Sequence, residues 1–245
     1  MRYGILADIH GNLEALDAVL AHLHDAGASA YLCLGDIVGY GADPNACCER
    51  LRALRAQCVV GNHDLAALGA FDLSWMNPLA RAAVEWTAHQ LSPENRAFLR
   101  SLPEEGDGPG FQFVHGSLVE PTTAYITHSF AARASLELQH APVCFVGHTH
   151  VPALYARRRG GVLVGRLAFA AGQRVVLEPG RQYLANCGAV GQPRDGNPDA
   201  ACGLFDADTG TLTRYRVPYD IDTAQAKIRA AGLPFWLAER LTQGA

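Results

Sequence analysis

The sequence has little of what marks a membrane, secreted or nucleic-acid-binding protein. Only 18% of its residues are charged, 8% are aromatic, and the net charge is -4. No apolar run approaches the ~20 residues needed to cross a bilayer, and the first apolar stretch runs directly into Asp8 instead of forming a secretory signal. The acidic balance also lacks the basic footprint of a nucleic-acid-binding protein. We therefore expect a cytoplasmic protein without a membrane or nucleic-acid partner.

Cysteine usage excludes a disulfide framework. The seven cysteines are odd in number, form no C-x-x-C pair, and three of them lie inside apolar runs, where cysteine behaves as a small hydrophobe. This pattern predicts reduced thiols, as in a cytoplasmic protein. What the chain does have is apolar material, at 49% of 245 residues, which is ample for a large core.

The pattern of predicted secondary structure changes near residue 150. Over residues 1–150, short apolar runs alternate with helical patterns, whereas closely spaced β-rich runs fill about 151–217 and two short helices follow at about 218–245. The polar loop at 103–110 is not a domain boundary, because candidate site residues lie on both sides of it. We predict one domain, residues 1–245, of the α/β class. It is expected to be a double β-sandwich of two mixed sheets flanked by helices, the later strands making the second sheet antiparallel.

Five of the apolar runs end in a cluster of aspartate, asparagine or histidine. After Val143–Val146, Gly147 is followed by His148 and His150, which point the same way in an extended backbone. Such a pair alone is equally well explained by solvated loop histidines. However, four other runs end similarly, at Asp8-Ile9-His10, Gly35-Asp36, Gly61-Asn62-His63-Asp64 and His115. Since ligands of open α/β sheets bind beyond the carboxyl ends of strands, these five ends are expected to meet at one rim.

Seven of these residues are candidate metal ligands. They are Asp8, His10, Asp36, Asn62, His115, His148 and His150. Their donor types suit manganese, iron, zinc or nickel better than calcium. Seven donors are too many for one tetrahedral ion but fit two ions sharing a carboxylate, the arrangement used for phosphoryl displacement. We therefore expect two divalent transition-metal ions per chain, manganese first, with iron, nickel or zinc as alternatives.

His63 is left over from this set. It follows Asn62 directly and therefore points in another direction. An imidazole at the mouth of such a site can stabilise the transition state or protonate the leaving oxygen. We predict that His63 and Asp64 are catalytic, with Asp64 holding His63 in place.

In this order, the five motifs resemble the calcineurin-like metallophosphoesterase superfamily. Each motif alone is weak, but the ordered set over residues 8–150 is specific. The resemblance implies the superfamily's double β-sandwich and its division of the ligands. It assigns one metal to Asp8, His10 and His150 and the other to Asn62, His115 and His148. It also makes Asp36 the bridge and directs His63 at the leaving group.

Two further stretches, Gly39–Asn45 and Asn186–Arg194, resemble the small bacterial and archaeal phosphodiesterase branch. The branch usually has Pro-Gly-Ser after the asparagine, where this chain has Cys187-Gly188-Ala189. Tyr40 and Arg194 are candidate substrate contacts, the arginine because its planar fork suits phosphate. A loop-anchoring aromatic and a structural salt bridge are the respective alternatives.

The leading functional hypothesis is a dinuclear metal-dependent phosphoesterase that hydrolyses a phosphodiester or phosphomonoester bond in a small phosphorylated substrate. A Ser/Thr protein phosphatase or dinucleoside polyphosphatase is an alternative. Those enzymes resemble this chain but have Asp-Arg where it has Gly39-Tyr40. A catalytically silent scaffold on the same fold is a second alternative, against which the complete ligand set argues. A nuclease would want an electropositive groove, and a homo-oligomer is left open.

Overall fold

The apolar runs of the sequence become strands in the computed structural model, which describes all 245 residues. In chain order the strands are β1 (Arg2–Leu6), β2 (Ala30–Cys33), β3 (Gln57–Cys58), β4 (Glu105–Gly108), β5 (Phe111–Val114), β6 (Val143–Val146), β7 (Ala153–Arg158), β8 (Gly165–Leu167), β9 (Arg174–Val176), β10 (Arg181–Asn186), β11 (Ala200–Asp206) and β12 (Thr211–Val217). The α-helices are α1 (Leu13–Asp25), α2 (Pro44–Ala53), α3 (Asn62–Ala67), α4 (Pro78–Gln90), α5 (Pro93–Arg100), α6 (Ser129–Leu138), α7 (Ile221–Ala230) and α8 (Phe235–Glu239). None of these helices combines the length and the apolar character needed to cross a membrane.

The strands form two mixed six-stranded sheets, β3-β2-β1-β11-β12-β9 and β4-β5-β6-β10-β7-β8. Apolar side chains from both sheets, including Ile5, Leu32, Phe145 and Phe205, form one buried cluster between them. A second cluster lies between the first sheet and the helices that follow β1 and β2. Because strands alternate their faces, burial on both sides explains why these strands read as continuous apolar runs. The predicted double β-sandwich is confirmed.

The division of strands between the sheets differs from the expectation. The later strands do not simply make the second sheet antiparallel. Instead, β11 pairs antiparallel with β1 in the first sheet, and β10 pairs parallel with β6 in the second. Each sheet therefore combines an early parallel part with strands from the last third of the chain. Hydrophobic patterning predicts strands but not their partners, because any strand with two apolar faces can fill a central place.

The helix boundaries follow the capping signals closely. The side chains of Asn12, Asn77 and Ser92 each accept a hydrogen bond from a main-chain N–H of the first helical turn, and Pro44 begins α2. Such caps satisfy the donors that a helix start leaves unpaired. Asn12 does more than cap α1. It also donates through Nδ2 to the Gly191 carbonyl and the Tyr219 hydroxyl.

Two short elements were missed by sequence reasoning. Residues 103–110 were predicted to be a loop, yet Glu105–Gly108 pairs antiparallel with β5. Its glycines are poor strand formers, but a Cβ at Gly106 would overlap the Phe113 ring, so glycine lets the ring cover the strand. Asn62–Ala67 forms α3 directly after β3, because Asp64 accepts a hydrogen bond from the Gly61 N–H and stabilises the start of the helix.

Replacement of Asn12 by alanine should cost more stability than loss of a cap alone. Asn12→Ala removes the α1 cap and leaves the Gly191 carbonyl unpaired, so we expect a loss of about 2–4 kcal/mol in the free energy of unfolding. Asn77→Ala, at an exposed cap with a single bond to Ala80, should cost about 1 kcal/mol. Urea denaturation of both variants measures the difference. Equal losses would show that the contact with Gly191 adds nothing.

Candidate metal centre

The loops at the strand ends that form the site have unusual backbone conformations. Seven non-glycine residues have a positive φ, and six of them belong to the predicted site with φ between 52° and 64°: Asp8, His10, Asp36, Tyr40, His148 and His150. Left-handed backbone costs free energy at non-glycine residues and persists only when the surroundings enforce it. Strain collected in this way is typical of functional sites. Here it turns side chains from successive loop positions toward a single point.

Each of four histidines gives one ring N–H to a main-chain carbonyl. Nδ1 of His10, His115 and His150 lies 3.1, 2.7 and 2.6 Å from the oxygens of Val38, Leu34 and Gln192, respectively. His148 is reversed, with Nε2 lying 3.1 Å from the Thr123 oxygen. A ring nitrogen that donates to a carbonyl leaves the other as an unprotonated acceptor, which is the arrangement found at metal-ligating histidines.

The free nitrogens face one another in two pairs. Nε2 of His10 lies 3.1 Å from Nε2 of His150, and Nε2 of His115 lies 3.0 Å from Nδ1 of His148. Two lone pairs at this distance repel each other unless a cation shares them. The chemistry of the donors therefore fits a cation at each pair.

Asp36 connects the two pairs. Its Oδ2 lies 3.6 Å from Nε2 of His10 and 3.4 Å from Nε2 of His115, while its Oδ1 accepts a hydrogen bond from the His63 N–H. Two buried clusters result, Asp8-His10-Asp36-His150 and Asp36-His115-His148, and both contain Asp36. They form a candidate binuclear metal site with a shared carboxylate.

The remaining two predicted ligands complete the ring of donors. Asp8 lies beside His150, with 3.5 Å between Oδ1 and Nε2, and both of its oxygens accept from the His148 N–H. Asn62, the first residue of α3, places Oδ1 3.3 Å from Nε2 of His115. All seven candidate ligands are therefore brought together, and all seven are buried.

Burial makes charge costly at this site. It raises the pKa of Asp8 to about 7, with a contribution from the neighbouring Asp36, and lowers the pKa of His148 to about 3. Burial also acts against a charged His115, but the Asp36 carboxylate outweighs it and raises the pKa of that imidazole to about 9. Without a metal ion, a proton on His115 would therefore balance the Asp36 charge; a bound cation would take over that role and leave the imidazole free to ligate it.

His63 lies beside the clusters without joining either. Its ring packs against His10 and Tyr40, at centroid distances of 4.7 and 4.5 Å, and a Cβ at Gly39 would come within 2.6 Å of its Nδ1. That nitrogen is buried without a hydrogen-bond partner. Burial lowers the pKa of His63 to about 4, against the opposing effect of Asp36.

The contacts of Asp64 differ from those expected. Its carboxylate does not hold the His63 ring but accepts from the main-chain N–H groups of Val38 and Gly61, at 3.1 and 3.0 Å. It thereby ties the Asp36 loop to the start of α3. Residues one apart on a helix point about 100° apart, which explains why Asp64 cannot follow the direction of His63.

The predicted substrate contacts lie at the edge of the site. Tyr40 packs against His10, with ring centroids 4.6 Å apart, and Arg194 lies over the Tyr40 ring at 5.8 Å. Arg194 makes no salt bridge to a carboxylate; Nη2 instead donates to Gln192 Oε1 and the Tyr40 hydroxyl at 3.0 and 3.4 Å. This geometry disfavours a structural ion pair for Arg194. Tyr40 is buried, so the tyrosine also anchors its loop.

Sequence reasoning missed Tyr125 and the role of Asn186. Tyr125 is 56% exposed and stacks on His148 with ring centroids 3.9 Å apart, but it lies in an irregular segment without a motif. Asn186 donates to the Gly147 carbonyl and to Thr149 Oγ1, while its Oδ1 accepts from the Gly188 N–H. It fixes the turn that presents His148 and His150, a role typical of residues behind metal ligands.

Comparison with known proteins agrees with this geometry. Residues 1–210 match the model of the calcineurin-like phosphoesterase superfamily domain. The chain belongs to this superfamily. The resemblance of the five motifs is thereby confirmed for the family and its fold.

Similar proteins match this chain over nearly its whole length. It is 38% identical to an uncharacterised protein of Methanocaldococcus jannaschii, over 98% of this chain and 97% of that one. A metallophosphoesterase from Sphaerobacter thermophilus is 42% identical, with a TM-score of 0.88 and coverage of 100% and 99%. A hypothetical protein from Pyrococcus horikoshii shares the fold at 23% identity, with a TM-score of 0.80 and coverage of 100% and 98%.

Replacing the shared carboxylate should disturb both metal positions at once. Asp36→Asn keeps the shape of the side chain but removes the charge that faces both clusters, so we expect metal content to fall well below two ions per chain. Tyr40→Phe is the control, since it removes a hydroxyl that faces Arg194. Metal analysis of the purified proteins makes the comparison. A full metal complement and normal turnover in Asp36→Asn would contradict a bridging role.

Proposed function

We propose that this phosphoesterase-family chain is an active dinuclear metal-dependent hydrolase of phosphodiester or phosphomonoester bonds in a small phosphorylated substrate. The supporting observation is that ring nitrogens of four histidines face one another in two pairs, with Asp36 beside both pairs. This arrangement of donors has no evident structural use. His10, His150 and Asp8 would hold one ion, His115, His148 and Asn62 the other, with Asp36 shared. Manganese is the proposed metal, with iron, nickel or zinc as alternatives.

The bound ions would supply Lewis acidity and a low-pKa water. The chain's own contribution is to hold seven donors in a buried site, with the exposed Tyr125 ring stacked on His148 at its edge. Arg194 lies over the Tyr40 ring with a buried Nε that has no hydrogen-bond partner. We propose that it binds a phosphoryl oxygen, since guanidinium forms strong paired hydrogen bonds with phosphate.

The complete donor set also distinguishes this proposal from a silent scaffold. A scaffold has no need to maintain six strained residues around converging imidazoles, because each strained position costs of order 1–3 kcal/mol. Metal binding would offset that cost. The scaffold alternative would be favoured by a protein that folds fully and binds no metal.

Metal removal should abolish activity and lower thermal stability. A ligand that binds only the folded state stabilises it, so chelation should reduce the melting temperature and eliminate hydrolysis of both an activated phosphodiester and a phosphomonoester. Both should return when Mn²⁺ is added, and parallel additions of Ni²⁺, Fe²⁺, Zn²⁺ and Mg²⁺ rank the metals. Undiminished activity after exhaustive chelation would contradict the two-metal mechanism.

We propose that His63 donates a proton to the leaving oxygen, the negative charge of the bound phosphate raising its low pKa so that it carries that proton, and that Asp64 supports it indirectly by fixing the start of α3. His63→Ala should then lower turnover while both ions stay bound. General acid catalysis contributes about 10²–10⁴-fold, so the loss should be of this size for an alkoxide leaving group and much smaller for nitrophenolate, which needs no proton.

The measurement is the rate on both substrates together with the metal content. Equal losses on the two substrates would leave His63 as an electrostatic group and remove the acid role. Loss of one ion would instead make His63 a ligand. Asp64→Asn should reduce both rates together, since its effect would pass through the loop geometry.

A further inference from the structure

Two arginines from distant parts of the chain meet at one aromatic ring. Arg194 and Arg240 place their guanidinium carbons 5.8 and 5.9 Å from the centre of the Tyr40 ring. That ring contacts His10 and His63, at centroid distances of 4.6 and 4.5 Å. The two cations therefore lie beside the candidate metal centre, with the tyrosine as their common platform.

Neither arginine takes part in any ion pair with an acidic side chain. The Arg194 side chain donates to Gln192 and Tyr40 and lies within reach of the Tyr125 hydroxyl, and its buried Nε has no acceptor. Arg240 donates through Nε to the main-chain oxygen of Ala245, and its terminal nitrogens make no hydrogen bond. Most N–H groups of the two guanidinium groups therefore make no hydrogen bond to the protein.

This arrangement costs free energy. Burial lowers the pKa of Arg240, and the positive charge of Arg194 lowers it further. Like charges that are half-buried with no acidic side chain beside them repel each other, and anions bound at the two groups would relieve the repulsion. A phosphate group suits each guanidinium group, because the planar fork forms paired hydrogen bonds with two of its oxygens.

The position of Arg240 is held by a packed core. It begins the short 3-10 turn Arg240–Thr242 that follows α8. The flanking Leu237 and Leu241 are buried in the same cluster as Tyr40, together with residues of α4 and α7. The C-terminal helices thus fix one guanidinium group against the loop that follows Asp36.

We propose that Arg240 binds a second phosphate group of the substrate, so that the enzyme prefers phosphoesters carrying another phosphate near the scissile one. This rests on the proposed function, which places the scissile phosphate at the metal centre next to Arg194. Arg240 lies on the same Tyr40 ring and would bind the additional phosphate. The C-terminal helices then contribute directly to specificity.

The test compares two substrates that differ by one phosphate, with the metal-loaded full chain. One is the 4-nitrophenyl ester of thymidine 5′-phosphate, and the other is the same ester with an added 3′-phosphate. The wild-type protein should show a higher kcat/KM for the second. In Arg240→Gln this preference should fall about 10–100-fold, the value of one or two charge-assisted hydrogen bonds, and Arg240→Lys should restore part of it.

The matched control is Arg229→Gln. Arg229 lies on α7, stacks on Phe235 at 6.0 Å and pairs with Glu239, so its loss should leave the preference at the wild-type value. Melting temperatures and circular dichroism show whether each variant is folded. An unchanged substrate ratio in folded Arg240→Gln would overturn the proposal, because a merely structural role would reduce both substrates alike.

Binding provides a readout that does not depend on turnover. Calorimetry with thymidine 5′-phosphate and thymidine 3′,5′-bisphosphate should show tighter binding of the bisphosphate to the wild-type protein and loss of that advantage in Arg240→Gln. If neither ester is hydrolysed, the phosphodiester form of the proposed function fails, while the calorimetric ratio still decides the second phosphate subsite. Equal affinities for the two ligands in the wild-type protein would refute that subsite.

Discussion

The hydrogen bond from an imidazole N–H to a main-chain carbonyl decides the chemistry of this molecule. It occurs four times, at His10, His115, His148 and His150. In each case it fixes the ring and directs the unprotonated nitrogen inward. The acceptor carbonyls belong to other loops of the rim, so every ring is aligned by a neighbouring segment. Without this mutual alignment, the strained backbone of the ligand loops would have no stable arrangement to support.

The sheet topology makes this alignment possible by bringing the ligand loops together. The first sheet delivers Asp8 and Asp36, while the second delivers His115 and the pair at His148 and His150. Main-chain hydrogen bonds join adjacent loops, as from Asp8 N to Gly35 O and from Gly147 N to His115 O. The candidate centre therefore lies where the two sheets approach each other. Asp36 is the residue that joins one side to the other.

Much of this could be predicted from the sequence because the informative residues follow apolar runs. The type of each donor and its place at a strand end indicated both the common rim and the metal chemistry. The helix starts at Asn12, Pro44 and Ser92 depend on local capping, which a single sequence reveals well. Both kinds of signal involve residues close together in the chain.

What sequence reasoning missed depends on contacts between distant residues. Tyr125 and Arg240 lie in segments without a motif, and only the fold brings them to the centre. Asp64 was expected to contact His63, but the undetected start of α3 turns its carboxylate to Val38 and Gly61. The partners of β10 and β11 were likewise hidden, because pairing over long separations leaves no periodic pattern in either strand.

The mixed make-up of both sheets has a consequence for synthesis on the ribosome. β1 leaves the ribosome long before its neighbour β11, and β6 precedes its neighbour β10 by about 40 residues. Gln192, the carbonyl partner of His150, is also made late. A nascent chain that has just released His150 holds all seven candidate ligands but has neither sheet complete. Its two unfinished sheets expose strand edges that can pair with other chains. Proper metal loading would accordingly follow completion of the last third of the polypeptide.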